Sequence, residues 1–292
     1  MTVSVRSPHV VRDPAQPAQG ATPARPAGPA GTLQDVSPEC DERQMTSVGK
    51  ALELLAAFRG TIPELGVSEL ARRAGMPKST AFRLLGDLER AGFVARSGAK
   101  YRLGLSLFEL GSRVGFCRPH GLRDVAIHDL SELHIHTGLT AHLAILEGTD
   151  VVYVEKVHAG NPVRLVTVPG ARLPASCTGL GKAMLAFSDG ATIRAVIEAG
   201  LPRRTRNSIT EPGRFVRELR RVREAGVAYD REEGTLGLSC VAAPVVVDGR
   251  VVAAISASGP PHGTSWPRIE SHVRHAARGV SRAYALNMSQ VS

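Results

Sequence analysis

Between Ser68 and Leu85 the chain reads Ser-Glu-Leu-Ala-Arg-Arg-Ala-Gly-Met-Pro-Lys-Ser-Thr-Ala-Phe-Arg-Leu-Leu, which predicts two short helices joined by a tight turn. Ser68 is a suitable N-cap for the first helix, because its hydroxyl can accept a hydrogen bond from an unpaired backbone N–H. Gly75 supplies the permissive backbone that ends this helix. Pro77 suits the first turn of the second helix, where a missing N–H costs nothing.

The second predicted helix carries its apolar side chains on one stripe, since Ala81, Leu84, Leu85 and Leu88 follow the spacing i, i+3, i+4 and i+7. Five residues at or beside its start lie largely off that stripe: Lys78, Ser79, Thr80, Phe82 and Arg83. Their hydroxyl, aromatic and charged groups suit the phosphates and base edges of a DNA major groove. The segment therefore predicts a helix-turn-helix with its recognition helix, and an ordinary helical hairpin with a solvated face stays open as the alternative.

A predicted hairpin and the local charge favour DNA as the partner. Residues 92–103 predict two short strands around a turn at Ser97-Gly98, with Arg96 and Lys100 on or near the turn, as in the basic wing of a winged helix-turn-helix. Residues 45–105 hold ten Lys and Arg against five Asp and Glu, and the formal net charge of the chain is +9. This excess predicts a polyanionic partner, namely a double-stranded DNA operator.

The 292 residues divide into four predicted segments. Residues 1–44 are rich in Pro, Ala and Gly and hold few large apolar side chains, so we expect this tail to be disordered. Residues 45–104 form the DNA-binding domain, and residues 105–121 form a linker helix. Residues 122–290 alternate between strand-like and helical periods, which is typical of an α+β sandwich of the sensor type.

The composition argues against several other classes of protein. Four cysteines without CxxC spacing argue against a zinc ribbon and suggest reduced thiols in a cytosol. No apolar run is long enough for a membrane span, and the N-terminus lacks a signal-peptide core, so we expect a cytoplasmic protein without a membrane partner. His128, His134, His136 and His142 do not share one helical face, and we expect neither a metal nor a cofactor.

One segment of the second domain combines a loop with a helix start. Thr178 is a suitable N-cap, which would leave the backbone N–H groups of Gly179, Leu180 and Gly181 pointing outward. Such a helix start attracts a carboxylate or a phosphate, and a plain capped helix start is the open alternative. Lys182 follows Gly181, but the remaining glycines of a dinucleotide fingerprint and of a P-loop are missing, so the segment is neither nucleotide motif.

Several short motifs recur along the chain in a characteristic order: Val67-Ser-Glu-Leu-Ala71, Pro77-Lys-Ser-Thr-Ala-Phe-Arg-Leu-Leu85, Gly92-Phe93, Tyr101-Arg-Leu-Gly104, Gly181-Lys182, Gly226-Val-Ala-Tyr-Asp230, Gly237-Leu238 and Ala254-Ile-Ser-Ala-Ser-Gly-Pro260. Each motif is weak alone, but their order and spacing together are specific. Over about residues 46–288 the chain resembles the IclR-type family of bacterial transcriptional regulators.

The resemblance implies a winged helix-turn-helix followed by a GAF-like effector-binding domain, assembled on DNA as a homodimer or homotetramer. It also implies small organic acids as ligands, in a pocket lined by Thr178, Gly179, Leu180, Asp230, Cys240, Ser256 and Ser258. One departure concerns the loop before Thr178. Where the family carries a histidine after a Pro-Leu pair, this chain has Pro174-Ala-Ser-Cys177, which changes the donors and the volume offered to a ligand.

The sequence thus predicts a sequence-specific transcriptional regulator, a repressor rather than an activator and not an enzyme, whose DNA affinity changes when a small organic acid binds. Two alternatives stay open. One is an enzyme with an appended DNA-binding domain and Cys177 or Cys240 as nucleophile, which requires a nearby base and a lowered thiol pKa. The other is a ligand-independent DNA-binding protein whose second domain only oligomerises.

Overall fold

The computed structural model describes residues 45–60, 62–117, 121–158 and 167–291. The predicted tail over residues 1–44 lies outside the described residues. Within the described part of the chain, no helix combines the length and the apolar character that a membrane crossing needs.

The N-terminal part has the order of a winged helix-turn-helix. Its elements are α1 (Ser47–Ala56), β1 (Leu65–Gly66), α2 (Val67–Arg73), α3 (Lys78–Arg90), β2 (Val94–Ser97) and β3 (Lys100–Leu103). The strands form an antiparallel sheet in the order β1-β3-β2. One apolar cluster joins the helices to this sheet, with Leu54, Leu70, Leu85 and Tyr101 among its buried members.

Two predicted helix starts are displaced by one or two residues. The N-cap of α2 is Gly66, so the prediction of Ser68 as the cap is wrong, and Ser68 lies exposed inside the helix. The cause is tertiary, because Leu65 and Gly66 pair with Tyr101 and Lys100 of β3 and the chain passes directly from strand to helix. Pro77 is the extended N-cap residue of α3 rather than part of its first turn.

The predicted linker helix over residues 105–121 is shorter in the structure. Helix α4 (Leu105–Gly111) ends with Ser112 as its C-cap, and turns follow as far as Cys117. The described residues Leu105–Gly111 include none that is buried. Leu105, Phe108 and Leu110 are instead exposed.

The C-terminal part is an antiparallel sheet with helices on both faces, as an α+β sandwich requires. Its described elements are α5 (Leu122–Thr137), β4 (Thr140–Glu147), β5 (Asp150–Val157), β6 (Arg172–Pro174), α6 (Gly179–Leu185), α7 (Gly190–Glu198), α8 (Pro212–Ala225), β7 (Ala228–Arg231), β8 (Ser239–Val247), β9 (Arg250–Gly259) and α9 (Trp266–Val291). The strand order is β6-β5-β4-β9-β8-β7.

The two faces of this sheet differ in character because side chains alternate along each strand. Ala253, Ile255 and Ala257 of β9 belong to an apolar cluster with α5 and α9. Ala254 belongs to a second cluster, formed with α6, α7 and α8. Ser256 therefore faces the side of α6–α8, and this side contains the cavity described below.

Candidate functional site

Helix α3 presents an apolar back and a polar front. Ala81, Leu84 and Leu85 are buried against the rest of the N-terminal part. Lys78, Ser79, Phe82 and Arg83 are exposed and Thr80 is half-buried, so the residues predicted to read DNA lie on the accessible side. Phe82 is 55% exposed, although it is a large apolar residue in a polar setting. An exposed helix front of this kind can enter a DNA major groove.

Arg83 and its neighbours form a short chain of charges along α3. Nη1 of Arg83 lies 3.8 Å from Oδ2 of Asp87, and Arg83 keeps 65% of its side chain exposed. Asp87 also pairs with Arg90. The guanidinium of Arg83 is thus loosely oriented by an exposed partner, which contributes little to stability and can be exchanged for a phosphate or a base edge.

The predicted wing is present, and Arg96 joins it to α3. The turn between β2 and β3 consists of Gly98 and Ala99 rather than Ser97 and Gly98, because Ser97 pairs with Lys100 and Gly98 takes the positive φ of +58°. Nη2 of Arg96 donates to the Tyr101 hydroxyl over 2.8 Å.

The same guanidinium lies 5.9 Å from the centroid of the Phe82 ring, and its Nε lies 3.6 Å from Oε2 of Glu89. Arg96 therefore holds the wing against α3, whereas Lys100 extends exposed from the turn.

A cavity of about 300 Å³ lies beside the C-terminal sheet. Of the seven residues predicted to contact a ligand, six line it: Thr178, Leu180, Asp230, Cys240, Ser256 and Ser258. Gly179 lies behind the wall, where a Cβ would come within 2.7 Å of Sγ of Cys240. Its missing side chain allows α6 to pack closely on β8. The prediction missed His142, Tyr153, Thr167, Arg172 and Arg204, together with residues 234–238.

The sheet side of the cavity is polar and uncharged. Strand register places Ser256 opposite His142 on β4 and Ser258 opposite Cys240 on β8. Nε2 of His142 lies 2.9 Å from Oγ1 of Thr167, and burial, with Lys156 and His158 nearby, lowers the pKa of His142 to about 3, so its ring is neutral. The buried Oγ of Ser256 has no hydrogen-bond partner among the described residues.

Asp230 brings a carboxyl group to the cavity wall. Burial raises the pKa of this carboxyl to about 7, and the neighbouring Glu233 carboxylate acts in the same direction. The backbone N–H of Glu233 donates to Oδ1 of Asp230 over 2.7 Å. Behind them, Nζ of the fully buried Lys182 donates to Oε1 of Glu233 over 2.5 Å and lies 3.9 Å from Oε1 of Glu218.

The start of α6 is less open than the sequence predicted. Thr178 is the N-cap, as expected, and its Oγ1 accepts the N–H of Gly181 over 2.9 Å. The prediction that the Gly181 N–H points outward is therefore wrong. Gly181 is also buried, since a Cβ there would come within 2.1 Å of the Ala175 carbonyl oxygen. Leu180 contributes its apolar side chain to the cavity wall.

Two arginines lie where the cavity meets solvent, since both line it and both are exposed. Arg172 is on the edge strand β6, and Arg204 lies between α7 and α8, where its Nε donates to the Gly234 carbonyl over 3.3 Å. Arg172 belongs to the loop motif shared with the IclR-type family. Arg204 is one of many arginines in its segment, and nothing in the sequence distinguishes it from the solvated ones.

The two candidate nucleophiles have the opposite of an activated environment. Burial raises the pKa of both thiols, that of Cys240 to about 12. Little thiolate is therefore available near neutral pH, and this weakens the enzyme alternative. Across the described ranges, no group of three or more His, Cys, Asp or Glu side chains is arranged to hold a metal ion.

Comparison with known proteins gives matches over both parts of the chain. The model of the IclR helix-turn-helix domain matches residues 47–98, and the model of the bacterial transcriptional regulator IclR C-terminal domain matches residues 116–282. The chain is 34% identical to the HTH-type transcriptional regulator KdgR of Escherichia coli K12 over 253 residues, which are 82% of this chain and 94% of KdgR. It is 31% identical to the HTH-type transcriptional repressor AllR of the same strain over 227 residues, 75% of this chain and 83% of AllR.

Solved structures give the same result for the fold. An IclR homologue from Microbacterium hydrocarbonoxydans, crystallised with 4-hydroxybenzoate, superposes with a TM-score of 0.75 at 25% identity, over 82% of this chain and all of that one (100%). The IclR protein of Thermotoga maritima superposes with a TM-score of 0.67 at 31% identity, over 82% of this chain and 98% of that one. Both matches confirm the predicted α+β two-domain fold.

Replacing Asp230 by Asn tests the buried carboxyl. Because the folded pKa is raised from about 3.8 to about 7, the folded state keeps a proton that the unfolded state loses in this window, so wild-type stability falls as pH rises through it. Asp230→Asn removes this penalty, and its gain over wild type should grow between pH 5 and pH 8 to on the order of a few kcal/mol. Urea unfolding at several pH values measures it.

Asp248→Asn in the exposed β8–β9 turn is the matched control and should show no such trend. A stability difference between Asp230→Asn and wild type that does not change with pH would contradict the assignment.

Proposed function

The chain belongs to the IclR family of bacterial transcriptional regulators, and we propose that it is a cytoplasmic repressor that releases its operator when a small organic acid fills the cavity. That it is a ligand-modulated DNA-binding regulator follows from its family. The acid, the direction of the response and the residues in contact are the proposal. The observation that carries it is the buried Oγ of Ser256, which lines the cavity without a partner among the described residues. A buried polar atom of this kind is stabilised once a bound ligand supplies the missing hydrogen bond.

For the DNA contact we propose Ser79, Thr80, Phe82 and Arg83 in the major groove. Phe82 would lie against a thymine methyl, and Lys78 and Lys100 would contact phosphates. Arg96 would contribute by fixing the wing at Tyr101, and its 47% exposed side chain leaves it within reach of the backbone as well. The electrostatic excess on this part of the chain supports the assignment.

Replacing Arg83 by Ala tests the groove contact. The operator affinity should fall by a factor of ten or more, because a base-edge contact is worth about 1–3 kcal/mol. Gel-shift titrations of operator and unrelated DNA at several salt concentrations measure the affinity and the loss of discrimination.

Arg250→Ala, an exposed arginine in the β8–β9 turn, is the control for net charge. Equal affinities for Arg83→Ala and Arg250→Ala would contradict the proposed role of α3.

For the ligand we propose contacts from Thr178, Leu180, Asp230, Cys240, Ser256 and Ser258, with Gly179 supporting the wall from behind. The cavity offers a neutral imidazole, hydroxyls and apolar walls, which suits a compact molecule of mixed polarity. A structural relative carries 4-hydroxybenzoate, and this acid is a suitable first probe. The raised pKa values of Cys177 and Cys240 support a binding role rather than a catalytic one.

An acid that binds the cavity should raise the melting temperature and weaken operator binding in the same concentration range, because binding to the folded state adds stability. A thermal-shift screen of carboxylic acids that includes 4-hydroxybenzoate, followed by gel shifts, measures both effects. Ser256→Ala should weaken the response, whereas Ser271→Ala on the exposed face of α9 should not. Acids that stabilise the protein without changing operator affinity would favour the ligand-independent alternative.

We further propose a homodimer as the DNA-binding unit, with assembly to a homotetramer left open. The support is a set of exposed apolar side chains on α1 and α4, namely Val48, Leu52, Leu105, Phe108 and Leu110. Water contact with so many neighbouring apolar groups is unfavourable, and a second copy of the same face would remove it. Two recognition helices in such a dimer would bind a pseudo-palindromic site.

Replacing the 71% exposed Phe108 by Glu should shift the protein toward monomer and reduce operator affinity, because the charge would have to be buried in the interface. Sedimentation velocity and gel shift measure the two effects. Ile135→Glu, on the exposed side of α5, is the control for an added charge elsewhere. Unchanged sedimentation of Phe108→Glu would place the dimer contact on another surface.

A further inference from the structure

Two cations stand at the open end of the cavity, and one of them is held there. Nε of Arg204 donates to the Gly234 carbonyl, and the two terminal nitrogens of this guanidinium make no hydrogen bond within the described residues. Arg172 lies on β6, where its backbone pairs with Val152 of β5. Neither guanidinium forms a salt bridge to a described carboxylate. Both are thus available to an anion that enters from solvent.

The position of Arg204 is fixed by the residues that follow it, which we name the 205–208 strap. Thr205 Oγ1 donates to the Glu232 carbonyl over 2.7 Å, and Ser208 Oγ donates to the Glu233 carbonyl over 2.8 Å. Asn207 Nδ2 donates to the Arg231 carbonyl over 3.2 Å. These bonds tie the strap to the chain that leads from Asp230 to Gly234 along the cavity. Arg204 is therefore preorganised at the entrance, which lowers the entropy lost when it binds a ligand.

The interior offers no comparable partner for a negative charge. Among the described residues that line the cavity, the only cationic side chains are Arg172 and Arg204. His142 is neutral, and Asp230 adds a carboxyl that repels an anion once it is ionised. Lys182 stands behind the wall and is engaged by Glu233. A carboxylate placed at the inner end would lose its water without gaining an opposite charge.

We infer that the ligand lies along the cavity with its carboxylate at Arg172 and Arg204 and an uncharged hydrogen-bonding group, a hydroxyl or a carbonyl, at Ser256 and His142. This inference rests on the proposed function and narrows it to one class of ligand. The class consists of acids that carry a neutral polar group at the end opposite the carboxylate. Arg204 is then a specificity-determining residue, since it selects the acid over the corresponding amide.

The test compares matched pairs of acid and amide on the full-length protein. The probes are 4-hydroxybenzoate with 4-hydroxybenzamide, and 4-hydroxybutyrate with 4-hydroxybutyramide, with benzoate and acetate lacking the second polar group. The variants are Arg204→Gln, Arg204→Lys and Arg172→Gln, and Arg206→Gln is the control, because Arg206 is exposed in the same segment but is not among the cavity residues. Calorimetric titration gives the affinities, and melting temperatures confirm that each variant is folded.

We expect wild type to prefer the acid of a pair over its amide. Arg204→Gln should lower the affinity for the acid about tenfold or more, because a hydrogen bond to a charged group is worth about 1.5–3 kcal/mol. The same variant should leave the affinity for the amide unchanged, Arg204→Lys should retain part of the preference, and Arg206→Gln should retain all of it.

Two other outcomes overturn the inference in different ways. If acids bind and change operator affinity, yet Arg204→Gln and Arg172→Gln bind them as wild type does, the orientation is wrong and the proposed function stands. If no acid of the panel binds wild type or alters its operator affinity, the proposed function falls and the orientation falls with it.

Discussion

The two-sided character of strand β9 is the constraint on which the C-terminal part depends. Ile255 and Ala257 pack into the cluster with α5 and α9, and Ser256 and Ser258 face the cavity on the opposite side. A shift of one residue in register would exchange these sets, placing hydroxyls in the apolar core. Burial of the apolar set, at about 25 cal/mol for each Å² removed from water, holds the register. The cavity thus obtains its polar wall from an apolar core on the other face.

A buried charge network gives the opposite wall of the cavity its properties. Lys182 is fully buried, and its ammonium is compensated by Glu233 at 2.5 Å and, more weakly, by Glu218. The Glu233 backbone in turn binds Asp230, whose carboxyl stays close to neutral at physiological pH because burial and the Glu233 charge both oppose its ionisation. A network of this kind adds little net stability, but it strongly penalises the loss of any one member. It fixes a wall that exposes a titratable group to a ligand.

Much of the N-terminal part was predictable because its contacts are local. The stripe that contains Ala81 and Leu85, the order of helices and the basic wing were predicted correctly, since a period of 3.6 residues and a short turn follow from neighbouring residues. The displaced boundaries have a long-range cause, because Gly66 rather than Ser68 caps α2 as a result of pairing with β3. The contact of Arg96 with Tyr101 also depends on this pairing.

The sequence by itself determined the family, the winged helix-turn-helix, the α+β class and six residues of the cavity, because periodicity and ordered motifs are written in short segments. Tertiary structure alone decided which distant residues meet. His142 and Ser258 are 116 positions apart and lie within 3.5 Å, and Lys182 meets Glu233 across 51 positions. It also singled out Arg204 from a run of similar arginines, since only the strap bonds and the strand register bring that guanidinium to the cavity. Sheet pairing and burial act over distances in space that spacing along the chain does not encode.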